Sequence, residues 1–152
     1  MIATTSACSG SDTQPSHLAT AGAACNPELW AHVYDPARLK IVDMCRTVTG
    51  IVTDLHPNED GDIDIRLAVD APFASLLNAG NMSGLNGHLQ LEPICQTTPA
   101  VRDAEDACGS FVWSVLRPSP GQHISVTGSY VLDTNHGWME IHPVSVIQLL
   151  QP

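Results

Sequence analysis

Apolar side chains recur at every second position over residues 62–69, which places Ile63, Ile65, Leu67 and Val69 on one face and Asp62, Asp64 and Arg66 on the other. That is the period of a half-buried strand. Residues 45–55 show the same alternation with many β-branched side chains, and Gly50 sits at their centre, where a bent strand needs one. The acidic turn 56–61 joins the two into a hairpin. Residues 87–93 give a third, short strand, and residues 122–132 and 138–147 two more. The last two are joined by Asp133-Thr134-Asn135-His136-Gly137, residues that tolerate a left-handed backbone.

Between these strands the pattern changes. Residues 73–79 read as a short helix ended by the breakers Gly80-Asn81 and Ser83-Gly84. From Pro93 to Pro120 no period is visible, only one apolar run at 111–116. Ahead of the first strand, residues 27–34 form one or two helical turns or an irregular packed segment. Asp35 then reads as an N-cap with Pro36 at the first helical position. Residues 1–24 are Ala, Thr, Ser and Gly with almost no large apolar side chain, too little to repay the entropy of ordering, and are expected to form an extended or flexible arm.

Three strands, an irregular or helical interval and two more strands is the order of the five-stranded OB barrel, whose first strand is long and curved. A small open sandwich would satisfy the same alternation. The expected fold is all-β: an OB-like barrel over residues 25–152, with the arm ahead of it and an irregular insertion between the third and fourth strands. Gly50 and Gly128 lie in matching Thr-Gly contexts, where a tight barrel must bend.

Composition narrows the class. A chain of 152 residues is long enough for one domain with a core of its own. Six Lys and Arg against sixteen Asp and Glu give a net charge of −10, with no basic stripe to displace counterions from a nucleic acid or to hold an anionic membrane. No run of 18 apolar residues is present to span a bilayer. Five cysteines with few basic residues look like a secreted composition. Their spacing is not that of zinc knuckles, and the preferred pairing is two local disulfides, Cys25–Cys45 and Cys95–Cys108, the second stapling the insertion. Cys8 is left over, either free, a lipid-anchor site or bonded to another chain. The residues around Met1 have neither a basic n-region nor a long apolar h-region, so an export signal is expected to be missing from this chain.

The residues Thr47-Val48-Thr49-Gly50, Asp60-Gly61-Asp62, Leu76-Leu77-Asn78 with Asn81, and above all 126–133 leading into His136-Gly137-Trp138-Met139-Glu140-Ile141-His142-Pro143-Val144, carry a resemblance. Over about residues 45–149 the chain resembles a group of uncharacterised secreted bacterial proteins with an OB-like domain ending in a His-Gly-Trp-x-Glu-Ile-His-Pro-Val signature. The resemblance implies an extracellular OB-like barrel of bacterial origin. It brings no reaction and no catalytic residue.

The sharpest chemical candidates lie in that signature. On a strand Met139 and Ile141 face the core while Trp138, Glu140 and His142 face away, with His136 at the mouth of the turn. Two imidazoles and a carboxylate suffice to hold zinc and activate water, although positions two apart on a strand are about 7 Å apart and need help to converge. The structural alternative is that Glu140 and His142 hydrogen-bond a loop or the arm. A second candidate is the acidic turn, where Asp60, Asp62 and Asp64 would offer oxygen to calcium. The EF-hand pattern fails there, because Gly61 as sixth residue puts His56 first and Leu67 twelfth. A solvated hairpin tip is the simpler reading. No nucleophile elbow or phosphate loop is present. Asn81-Met82-Ser83 fits a glycosylation sequon.

The function expected is a secreted, non-catalytic binding or structural module, with a small molecule, carbohydrate or cation as ligand. Two alternatives remain: a subunit that self-assembles through residues 1–24, and a metal-dependent hydrolase using His136, Glu140 and His142 with Glu140 as base.

Overall fold

The computed structural model describes residues 24–111 and 113–151. Cys8 and all but the last residue of the expected arm lie outside the described residues. Five strands, β1 (Leu39–Pro57), β2 (Ile63–Val69), β3 (Leu89–Leu91), β4 (His123–Asp133) and β5 (Trp138–Leu149), form a mixed sheet. Their hydrogen-bonded order is β1-β2-β3-β5-β4, and β4 returns to β1, so the pairing closes in a ring. Every pair is antiparallel except β3 with β5.

The alternation over residues 62–69 becomes the inner face of this ring. Ile63, Ile65 and Leu67 are buried there with Val48, Val52, Leu89, Leu91, Val126 and Ile141, and Val69 packs against them. Each such side chain contributes about 1.5–3 kcal/mol by leaving water. Gly50 and Gly128 let strands approach closely: a Cβ on either would sit 2.4 Å from a backbone oxygen, of Ala68 and of Pro143 respectively.

β1 begins six residues earlier than the alternation places it. Its first half pairs with the far end of β4, Leu39 opposite Asp133 and Ile41 opposite Val131, but the register shifts twice between Ile41 and Arg46. These shifts erase the period of two and leave Ile41, Val42 and Met44 exposed.

A second, smaller core lies on the outer side of the ring. A 3-10 helix, Pro27–His32, and the segment after β3 pack Leu29, Val33 and Ile94 against Leu39 and Val131. Disulfides join Cys25 to Cys45 and Cys95 to Cys108, with Cα separations of 5.5 and 5.4 Å. The first ties the chain before the 3-10 helix to β1. The second lies in the segment between β3 and β4, which also contains α2 (Arg102–Cys108), a helix the missing period did not reveal.

One local expectation changes and another holds in part. In place of one helix over 73–79 there is a 3-10 helix, Ala71–Leu76, followed by α1 (Ala79–Gly84). The supposed breakers lie inside α1 because Asn78 and Asn81 form a reciprocal capping box at its start. Asp35 does hold the N-cap position, with Pro36 opening the 3-10 helix Pro36–Arg38, but at φ 45° its side chain makes no capping hydrogen bond. Among the described residues no helix is long and apolar enough to cross a membrane.

Candidate functional site

Met139 and Ile141 of β5 point into the ring, so Trp138, Glu140 and His142 point outward, beneath the second core. Glu140 and His142 are both 0% exposed. The indole Nε1 of Trp138 donates to Glu140 Oε2 at 3.2 Å, and His142 Nδ1 lies 3.2 Å from Glu140 Oε1. Three carboxylates from elsewhere reach the same place. Glu92 follows β3, and its backbone is held on β5 by Glu92 N–H donating to Ile141 O and Val144 N–H donating to Glu92 O. Its Oε2 lies 2.7 Å from His142 Nδ1. Asp62, just before β2, places Oδ2 3.9 Å from His142 Nε2. Asp133, at the end of β4, is paired with Arg38, whose guanidinium also lies 3.6 Å from Glu92 and 3.9 Å from Glu140.

Burial and charge compete within this cluster. Burial alone would raise the Glu92 carboxyl, but His142, the Gln90 amide and Arg38 pull it down to about 2. Burial works to lower His142, and Glu92 and Glu140 outweigh it, holding the imidazole well above its ordinary value. Burial and the negative charge of Glu92 raise Glu140. Burial pushes Asp62 up to about 7 against the pull of His142.

Beside the cluster opens a cleft of about 330 Å3. Its walls are Tyr34, Asp35 and Arg38 ahead of β1, Asn58 and Asp60 in the β1–β2 turn, Asp64 and Arg66 of β2, Gln90 and Glu92, and Asn135, His136 and Trp138 around the β4–β5 turn. Arg66 donates to the Gln90 side-chain Oε1 and lies 5.7 Å from the Trp138 ring centroid. His136 stacks on Trp138, with centroids 4.3 Å apart and planes within 2°. The cleft is therefore walled by amides, carboxylates, two guanidiniums and three aromatic or imidazole rings.

The three residues singled out in the signature do not converge on one point. His136 turns to Asp133, with Nδ1 2.9 Å from Oδ2, while His142 is drawn to Glu92, Glu140 and Asp62. Glu140 spends both oxygens on hydrogen bonds and meets no solvent, so it is not placed to act on a water. The acidic turn is solvated only in part: residues 56–59 are exposed, and residues 60–62 are buried. The segment after β3 clamps it, with Gln96 and Thr97 N–H donating to Gly61 O, and Asp60 and Asp62 are buried. Asp62 N–H donates to Asp60 Oδ1, while Asp64 faces Asn58 and His56. The three aspartates thus point to different partners. Among the described residues the groups whose ligand atoms converge are Asp62 with Glu92 and His142, and Asp62 with Cys95 and Cys108, the latter two bonded to each other.

Arg38, Gln90, Glu92 and Asp133 were missed as site residues. The signal for Gln90 and Glu92 was present in the third strand, where they alternate with Leu89 and Leu91. Arg38 and Asp133 carry no local signal, since they meet only through the pairing of β1 with β4. Asn81, the sequon residue, is 0% exposed and fully engaged: its amide donates to His88 O and Met139 O and accepts from Met139 N–H. Compared with known proteins, the chain matches no family model and no curated protein at a significant level.

Proposed function

We propose that the protein is a secreted, non-catalytic module of OB-like fold that binds a small, hydroxyl-rich ligand of saccharide type in the cleft beside β2 and β3. The observation that carries this reading is where the cleft lies. It opens on the outer face of β2 and β3 between the β1–β2 and β4–β5 turns, the face and loops on which OB folds hold oligosaccharides and oligonucleotides. Ring closure in the order β1-β2-β3-β5-β4 and the long, bent β1 support the OB-like assignment.

Charge selects between the two ligand classes. Four carboxylates, Asp35, Asp60, Asp64 and Glu92, line the cleft against two guanidiniums, and Arg38 is already engaged by acids. A phosphodiester would meet net repulsion there. A neutral saccharide would meet planar amides and carboxylates for its hydroxyls and ring faces for its apolar side. A cleft of about 330 Å3 is at the small end of ligand pockets, which run from roughly 300 to 1,000 Å3. Two disulfides fit an oxidising compartment.

The test is calorimetric titration of the full chain with a panel of neutral mono- to tetrasaccharides, beside Tyr34→Ala and Asn135→Ala. Saturable binding by at least one saccharide, weakened at least tenfold in both variants, is the expected result. Binding by none, or equal binding by both variants, rejects the reading.

A further inference from the structure

We propose that Asp62, Glu92 and His142 form a buried binding site for one divalent transition ion, of which zinc fits the donor set best. The site lies behind the floor of the cleft and shares Glu92 with it, but zinc binding can be tested whether or not the cleft takes a saccharide.

Three observations carry it. One ligand-type atom from each residue lies within 4.8 Å of those of the other two. All three side chains are at least nine-tenths buried. Among the described residues Asp62 Oδ2 and His142 Nε2 are buried without a hydrogen-bond partner and face each other at 3.9 Å, while Glu92 Oε2, which also lacks an aligned hydrogen bond, lies 2.7 Å from His142 Nδ1. Leaving such groups unsatisfied costs about 1–3 kcal/mol each, and more for charged ones, so this concentration calls for a partner.

The other polar atom of each ligand is already held. Cys95 N–H donates to Asp62 Oδ1 at 2.8 Å, and the Gln90 amide donates to Glu92 Oε1 at 3.1 Å. His142 Nδ1 faces Glu92 Oε2 at 2.7 Å and Glu140 Oε1 at 3.2 Å, so carboxylates crowd that side of the ring and Nε2 is left toward Asp62. A carboxylate behind an imidazole fixes its tautomer and aims the second nitrogen at a metal, so Glu140 acts as a positioning residue. Metal–oxygen and metal–nitrogen bonds are about 2.0–2.2 Å, so one ion can bridge the 3.9 Å between His142 Nε2 and Asp62 Oδ2. One imidazole with two carboxylates is a donor set for zinc and its neighbours, whereas calcium takes oxygen donors alone. The three ligands come from the start of β2, the end of β3 and the middle of β5, so the ion would cross-link three strands.

The alternative arrangement has no ion: His142 is an imidazolium shared by Glu92 and Glu140. The experiment separates the two. The full chain is stripped with a chelator, incubated with zinc chloride and desalted; bound zinc is measured by mass spectrometry, and thermal unfolding is followed with and without zinc. One zinc per chain and a raised Tm are expected. Asp62→Asn, which keeps the Oδ1 acceptor for Cys95, should fold and weaken zinc binding at least tenfold. Glu140→Gln should weaken it about 10- to 100-fold. His123→Ala, on a half-buried histidine of β4 that pairs with Asp70 outside the site, should bind as wild type does. If Asp62→Asn does not fold, Glu92→Gln supplies the same comparison. A wild-type chain without stoichiometric zinc overturns the proposal, as does a ligand variant that holds as much zinc as wild type.

Discussion

Asp133 shows how much a single side chain can organise. Its carboxylate pairs with Arg38, accepts from the backbone N–H groups of Asn135 and His136, and meets the His136 ring, all while fully buried. Burial would raise its pKa, but the hydrogen bonds from His136 and the charge of Arg38 outweigh it and hold the carboxyl below its ordinary value. A depressed acid stabilises the fold fully above its unfolded value, near pH 4, and loses that contribution as pH falls through the lower folded value. Denaturant unfolding at pH 7 and pH 3 should show a larger acid loss in wild type than in Asp133→Asn. At pH 7 the variant should be about 3 kcal/mol less stable, because Arg38 loses a buried partner. Asn81→Ala, measured in the same way, should cost about 2–3 kcal/mol by stranding backbone groups of His88 and Met139. Of these residues the sequence singled out His136, as a metal candidate, and Asn81, for its sequon, while Asp133 drew notice only as part of the β4–β5 turn. The outward face of Glu140 and His142 followed from strand period, but the identity of their partners did not, since Glu92, Asp62 and Arg38 reach them only through long-range pairing.

At the scale of elements, period carried the reading and its loss defeated it. β2, β4 and β5 lie within about two residues of their expected bounds because each has one face in the inner core. The first half of β1 was illegible, since its register shifts break the alternation. α1 was hidden by a capping box made of residues that resemble breakers, and α2 by its shortness. The segment carrying α2 matters to the site, because its first residues clamp the β1–β2 turn and Cys95 holds Asp62. Replacing Cys95 and Cys108 together with serine should lower stability by about 3 kcal/mol, the entropy of a loop with sequence separation 13. Hydrogen exchange at Asp62 and Ile63 should quicken in the same variant. Unchanged protection there would mean that the clamp holds without the staple.

For the molecule as a whole, the charge of −10 divides unevenly. Acids in α2 face solvent, whereas Asp60, Asp62, Glu92, Asp133 and Glu140 are buried around Arg38 and His142. The acidity is thus part of a packed ionic layer between the ring of strands and the cleft, as well as a solvated surface. That layer fixes Glu92, Gln90 and Trp138 in place, so the cleft is expected to be preformed and its ligand to bind without rearrangement of the strands. The most direct measurement is a backbone amide NMR titration of the full chain with the neutral saccharide panel. The account predicts that at least one saccharide shifts resonances confined to Asn58, Arg66, Gln90, Asn135, His136 and Trp138, with the inner core unmoved. Shifts by none of the panel, or shifts centred away from these residues, would contradict it.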